Sequence, residues 1–261
     1  MRLTIANKEA TKYACLYFHY AKRVPVGYIS FNVYNDDDEW CGCILYSRGA
    51  TPHIGKPYGL AQGQVVELVR VALNGKQGKG RTSQAVSLSL KMLKKHCPMV
   101  RLVVSFADCD QNHLGTIYQA TNWIYTGCTG QDYGSAMPQY LIHGKPMHIR
   151  SVQEKLRKWH APCNLENARK YIDPNAQLLE SKGKRKYLFP MDKKTRKMVE
   201  PLAKPYPKTD PNWTKVDRSK FDCNGENKLE RGGQSRTAVS QVELARSTVE
   251  LFAPSPIKYI N

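Results

Sequence analysis

The residues best placed to do chemistry lie between Ser105 and Trp123. The apolar run from Arg101 to Ala107 reads as a buried strand and ends in Asp108. In an α/β sheet, a carboxylate at the C-terminal end of such a strand faces the crevice where ligands bind. Asp108 is therefore a candidate proton acceptor, a role worth about a hundred- to ten-thousandfold in rate. The same carboxylate would equally serve to cap a helix or brace the loop that follows. A second candidate is the loop from Asn74 to Ser83, which sets Gly75, Gly78 and Gly80 between a strand and a helix. Glycines let backbone N–H groups approach a phosphate, and a helix N-terminus adds a favourable dipole. Lys79 and Arg81 add charge there, while Ser83 would touch a phosphate or cap the helix. The loop is neither a Walker sequence nor the dinucleotide fingerprint. Arg70 faces one side of the preceding strand. A buried guanidinium needs an anion, so a cofactor phosphate and Glu67 compete for it.

The elements that must position these groups follow from pattern. Tyr13 to Val33 is expected to open the sheet. Gly27 to Tyr34 alternates apolar and polar, Asn35 to Asp38 turns, and Glu39 to Tyr46 returns as the second arm of a hairpin. Gly49 to Gln64 reads as loop. An apolar strand from Gln64 to Leu73, the glycine loop and a helix from Thr82 to about His96 come next. That helix should turn Ala85, Leu88, Met92 and Leu93 inward and Lys91, Lys94 and Lys95 outward; Pro98 ends it. The Arg101 strand, a helix from about His113 to Asn122 and a last strand near Trp123 to Thr126 complete a βαβαβ pattern. A further helix is expected from Ser151 to about Trp159. The prediction is an α/β (α+β) fold, a mixed central sheet flanked by helices, with a basic C-terminal extension.

The chain has 261 residues and a formal net charge of +18, so its partner is a polyanion, and nucleic acid fits best. Residues 181–220 hold thirteen Lys/Arg against four Asp/Glu, half of the net charge, so this segment is the expected grip on nucleic-acid phosphates. Its candidate contacts are Lys184, Arg185, Lys186, Lys193, Lys194 and Arg196. Tyr187, Phe189 and Trp213, interleaved with them, would stack on a base or pack on the domain. Trp123 is another stacking candidate, or a core residue. Residues 221–261 balance five charges against five and are expected to form a mostly flexible tail. The expected organisation is a catalytic domain over 1–180, a DNA-binding extension packed on it over 181–220, and that tail. None of the eight cysteines forms a Cys-x-x-Cys pair, and Cys41-Gly42-Cys43 is too close for zinc-ligand spacing. With no signal peptide and no apolar run of membrane-spanning length, a cytosolic protein with reduced thiols is expected.

Gln77-Gly78-Lys79-Gly80, between strand and helix, resembles the Gln-x-x-Gly-x-Gly/Ala pyrophosphate loop of GNAT acyltransferases, although one residue short. The resemblance implies that Arg70, Gln77, Gly78, Gly80, Arg81 and Ser83 bind coenzyme A or a similar carrier. It also implies that a helix tyrosine, here Tyr118, protonates a leaving thiolate; a packed aromatic is the alternative. A wider resemblance rests on Phe18 to Pro25, Val66 to Leu73, Phe106 to Trp123, and Lys186 to Asp192 with the later Pro205 to Lys208. These segments, in this order, are similar to the Mom DNA-modification proteins of phage Mu-type viruses. The likeness runs from about residue 13 to 210.

That resemblance implies a GNAT-like fold and an enzyme of phage type acting in the cytoplasm of the bacterial host. It would add a carbamoylmethyl (acetamido) group to the exocyclic amine of selected adenines in double-stranded DNA, which protects the DNA from host restriction. Asp108 would take a proton from, or hydrogen-bond to, the adenine amine. His19 and Tyr20 would lie at the active site, where iron has been suggested, with Lys22 and Arg23 beside them as DNA contacts. A His-Tyr pair falls short of the two His and one carboxylate usual for non-haem iron, so His19 is the metal candidate and His113 either a further ligand or a helix cap. Reaching an adenine amine inside a duplex requires base flipping. The donor would be acetyl-CoA, another CoA-like or nucleotide carrier, or an aminoacyl-tRNA. No membrane is involved, and the oligomeric state is left open. The rival readings are a GNAT-fold acetyl-CoA-dependent N-acetyltransferase of protein or small amines, and a non-catalytic nucleic-acid-binding protein.

Overall fold

A computed structural model describes residues 1–129, 132 and 138–208. The expected tail over 221–261 and Trp213 lie outside the described residues. In chain order the elements are β1 (Arg2–Ile5), α1 (Lys8–Tyr17), β2 (Ile29–Tyr34), β3 (Trp40–Ser47), β4 (Val65–Leu73), α2 (Thr82–His96), β5 (Leu102–Asp108), α3 (Thr116–Gln119), β6 (Ile124–Cys128), β7 (Gln139–Ile142), β8 (Lys145–His148), α4 (Ile149–Leu156), α5 (Leu165–Tyr171), β9 (Gln177–Leu179), β10 (Lys184–Pro190) and α6 (Lys193–Val199). The α/β class is the one expected. The chain divides into two compact units, one of residues 1–104 with 189–198, the other of 105–188 with 199–208.

In the first unit β1, β2, β3 and β4 lie side by side and antiparallel. The hairpin is where the alternation placed it. Residues 13–33 do not open the sheet: β1 does, and Tyr13 belongs to α1. Asn7 starts that helix by accepting the Ala10 N–H at 2.8 Å, an N-cap signal. Its inward face is Ala10, Thr11, Ala14 and Cys15, too small to register as an apolar stripe, and these side chains let α1 lie close on Cys43 and Ala72. Helix α2 has the expected bounds, but Ala85, Val86, Ser89, Leu90 and Leu93 form its buried face. Leu88 and Met92 are only half-buried, because Ser89 turns inward to share a 2.7 Å hydrogen bond with the Tyr46 hydroxyl.

Asp192 anchors α6 by accepting the Thr195 N–H at 2.8 Å, and its two oxygens take the Arg101 guanidinium at 3.0 and 3.1 Å. Arg101 holds the Asp192 carboxyl well below the usual carboxylate range. A carboxylate with a depressed folded-state pKa contributes stability above its ordinary pKa of about 4, and that contribution fades as pH falls further. The Asp192→Asn variant should therefore lose stability at pH 7 and show a flatter acid limb in urea melts below about pH 4. Parallel acid limbs for variant and parent would contradict this role.

In the second unit β10 pairs antiparallel with β6, and β7 pairs antiparallel with β8 and β9. The strand β10 lies inside the charge run read as a DNA-gripping extension, and Tyr187 and Leu188 are fully buried. The helix expected from His113 to Asn122 is only the four residues of α3. Gly115 at φ +76° starts it and Asn122 at φ +59° lies beyond its end, both in the left-handed region that breaks a helix. The helix expected near Ser151–Trp159 starts two residues earlier as α4 and closes in a 3-10 turn, Arg157–Trp159. A separate core of Tyr140, Ile142, Val152, Leu156, Ala168 and Ala176 lies among β7, α4 and α5.

Candidate functional site

Asp108 is the last residue of β5, as expected from the apolar run. Its Oδ1 accepts the Asp110 N–H at 3.0 Å and its backbone carbonyl accepts the His113 N–H at 3.0 Å. The carboxylate thus braces a tight loop at the end of the strand. Asp110, which sequence reasoning passed over, holds the far side of the loop. Its oxygens accept the Ser181 hydroxyl and the Lys182 N–H, each at 2.8 Å. The Arg185 guanidinium reaches back to the His113 carbonyl at 2.9 Å.

Tyr118 sits in α3 behind this loop, 7% exposed, with ring centroids 5.0 Å from Trp123 and 5.1 Å from Tyr187. The Ser105 hydroxyl donates to the Tyr118 phenolic oxygen at 2.8 Å. Trp123 is a buried core residue. Tyr187 is buried as well, donating its hydroxyl to the Leu114 carbonyl and accepting from Gln119 Nε2 at 3.2 Å. Lys184 is exposed; Arg185 and Lys186 are half-buried, and desolvation pulls the Lys186 ammonium pKa down.

In the first unit, β3 and β4 change register between Leu45 and Tyr46, which leaves Val69 as an extra residue in β4. A bulge of this kind re-aims the side chains beside it. Arg70, next to it, donates Nη1 to the Val69 carbonyl at 2.7 Å. Its buried Nε has no hydrogen-bond partner among the described residues. A buried donor left unpaired costs about 1–3 kcal/mol, so this position favours an acceptor supplied from outside the chain. Burial raises the neighbouring Cys15 thiol despite the pull of Arg70, and pushes Cys43 to about 12. Neither supplies a thiolate at neutral pH.

The glycine loop has the strand-to-helix setting read from sequence. Gly75, Gly78 and Gly80 all have positive φ, and a side chain at Gly75 or Gly80 would meet open space. Gln77 is buried; its Nε2 donates to Thr82 Oγ1 at 3.1 Å, while its buried Oε1 has no partner among the described residues. Arg81 is paired with Asp36, which it and the terminal amine hold at about 2. The Ser83 hydroxyl donates back to the Gly80 carbonyl at 3.1 Å. Arg81 and Ser83 are thus both engaged within the chain, as is the Gly78 N–H, which donates to the Gly75 carbonyl at 3.2 Å.

His19 and Tyr20 follow the end of α1, their rings 4.3 Å apart. The His19 Nδ1 accepts the Ala21 N–H at 3.1 Å, which fixes the ring in a turn. Lys22 and Arg23 follow them and are exposed; Lys193 and Lys194 on α6 are exposed as well, and Arg196 is half-buried. Among the described residues no group of three His, Cys, Asp or Glu side chains is placed to hold a metal ion, so the iron expectation finds no ligand set. No described helix is long and apolar enough to cross a membrane.

Two solved structures similar to the chain are acetyltransferases. A chimeric spermidine N-acetyltransferase from Vibrio cholerae covers 73% of this chain and 97% of its own, with 7% identity and a TM-score of 0.40. A Bacillus subtilis acetyltransferase in complex with CoA covers 72% and 97%, with 12% identity and a TM-score of 0.39. The methylcarbamoylase mom of Escherichia phage Mu is 30% identical over 112 residues, which are 42% of this chain and 46% of that protein. The chain thus spans about half of that relative's length. The family model of the Mom proteins matches residues 1–208, a span that takes in every described residue, and the chain belongs to the Mom protein family.

Proposed function

We propose that this protein is a transferase that modifies DNA, adding a carbamoylmethyl group to the exocyclic amine of selected adenines and so shielding the DNA from restriction. The family match over residues 1–208 carries this reading. The net charge of +18 supports DNA as substrate. Asp108 is the base: it takes the amine proton as the new nitrogen–carbon bond forms. Tyr118 gives a proton to the departing group of the donor. The Ser105 hydroxyl aimed at its phenolic oxygen stabilises the negative charge left there.

The product carries a methylene on nitrogen and a terminal amide, so simple transfer of an acetyl group does not make it. A phosphate-bearing carrier, CoA-like, nucleotide or RNA-linked, would supply the activated two-carbon amide. Lys79, Gly80 and the first turn of α2 would hold its phosphates, and the unpaired Nε of Arg70 would meet an acceptor oxygen. The GNAT-like fold is the one this division of labour implies.

Plasmid DNA from bacteria producing the chain should resist restriction enzymes whose sites contain adenine, and full sensitivity beside folded protein would contradict the reading. Lys193 and Lys194, exposed on α6, are proposed phosphate contacts. Replacing both with alanine should reduce the slope of log K against log salt by about 2 and weaken binding to all sequences alike. An unchanged slope would remove α6 from the interface.

A further inference from the structure

Residues 139–179 carry a surface to which the proposed chemistry gives no role. Trp159 ends the 3-10 turn after α4 and is 46% exposed. One face of its indole stacks on Tyr171, with ring centroids 5.3 Å apart and planes 20° from parallel. Tyr171 in turn packs against the separate core of this region. His160, at φ +51°, turns the chain sharply just beyond the tryptophan. The indole is therefore backed on one face by a packed ring and leaves apolar surface open to solvent.

The surroundings say what would cover it. Lys170 lies over the Tyr171 ring, its Nζ 5.1 Å from the centroid. Arg157, Lys158 and Arg169 are exposed on the same short elements. Residues 139–179 hold seven Lys/Arg against three Asp/Glu. Two of the three acids are spoken for: Glu154 pairs with Arg157, and Asp173 is buried and accepts the His143 and Asn175 N–H groups. An open aromatic with basic residues on its own and adjoining short elements matches a nucleotide, whose base stacks while its phosphates take the charge. An apolar peptide would leave the cations unmatched, and duplex phosphate alone would leave the indole uncovered.

We propose that Trp159, backed by Tyr171 and with Lys158 and Lys170 on the same short elements, is a stacking platform for an unpaired nucleotide of the DNA substrate. This rests on the reading of DNA as substrate and adds a second contact surface beside the one that does the chemistry. Exposing an adenine amine leaves bases near the target unpaired, and a platform that holds one of them favours the open state of the duplex.

The test uses the full chain and a fluorescent single-stranded oligodeoxynucleotide, beside a matched duplex and a duplex with one unpaired adenine. Trp159→Ala should weaken binding to the single strand and to the unpaired-base duplex by about ten- to a hundredfold, with little effect on the matched duplex. Its salt slope should stay that of the parent, since no phosphate contact is removed. Trp159→Phe should restore most of the affinity, which separates stacking from loss of fold. Single-stranded DNA should quench tryptophan fluorescence in the parent and less in Trp159→Phe. Unchanged affinity in Trp159→Ala, or equal quenching in parent and Trp159→Phe, overturns the platform. Binding is read without turnover, so the two proposals fail separately. Unmodified DNA with Trp159-dependent binding would sink the enzyme reading and keep the platform. Modified DNA with Trp159-independent binding would do the reverse.

Discussion

Placing a methyl group at position 115 is expected to destabilise the protein by about 2–4 kcal/mol, through left-handed backbone strain and overpacking together. Gly115 has φ +76°, and a Cβ there would lie 2.4, 2.6 and 2.8 Å from Cε2, Cζ and the hydroxyl oxygen of Tyr187. The ring has nowhere to go. It is fully buried, donates its hydroxyl to the Leu114 carbonyl, accepts from Gln119 and lies against the rings of Tyr118 and Tyr125. Gly115 also starts α3, so the strain falls on the helix that carries Tyr118 and on the loop that follows Asp108. Urea unfolding of Gly115→Ala, Tyr187→Ala and the double variant measures this. Removing the ring removes the clash, so the double variant should be more stable than the sum of the two losses predicts. Simple additivity would show that the two positions do not compete for space.

Asp108→Asn should lower DNA modification by about a hundred- to ten-thousandfold while leaving unfolding close to that of the parent. The two parts of the prediction come from different atoms of the same geometry. An asparagine Oδ1 can still accept the Asp110 N–H that braces the loop, so the structural role survives. An amide cannot take the adenine proton, so the chemical role does not. Asp108→Ala should lose both, with lower stability as well as lower activity. A stable, fully active Asp108→Asn variant would leave the carboxylate as a loop brace only.

Large side chains at regular spacing made parts of this fold readable. The β2–β3 hairpin, the long apolar run of β4 and the bounded helix α2 were legible because each is rich in apolar residues and is set off by turn or helix-ending residues. Helix α1 was not, since Ala10, Ala14 and Cys15 bury too little area to stand out from a polar background. The strand β10 was masked by its own charges: Lys184, Arg185 and Lys186 form its first half, and its buried residues are Tyr187, Leu188 and Pro190. Tertiary burial there overrides composition. At the site, Asp108 could be read from its place at a strand end, and the glycine loop from its setting. What the sequence hid were relations between distant residues. The Ser105 hydroxyl behind Tyr118, Asp110 tying in Ser181, and Arg81 claimed by Asp36 all depend on side chains meeting across the fold. The unpaired Nε of Arg70 belongs to the same class, because it follows from a bulge at Val69 that no pattern announces.

The most direct measurement is mass spectrometry of nucleosides from plasmid DNA recovered from bacteria producing the chain, with Asp108→Asn as the matched control. The account predicts a deoxyadenosine heavier by one carbamoylmethyl group in the parent and a near-complete loss of it in the variant. Unmodified deoxyadenosine beside folded parent protein, or equal modification in both, would contradict it.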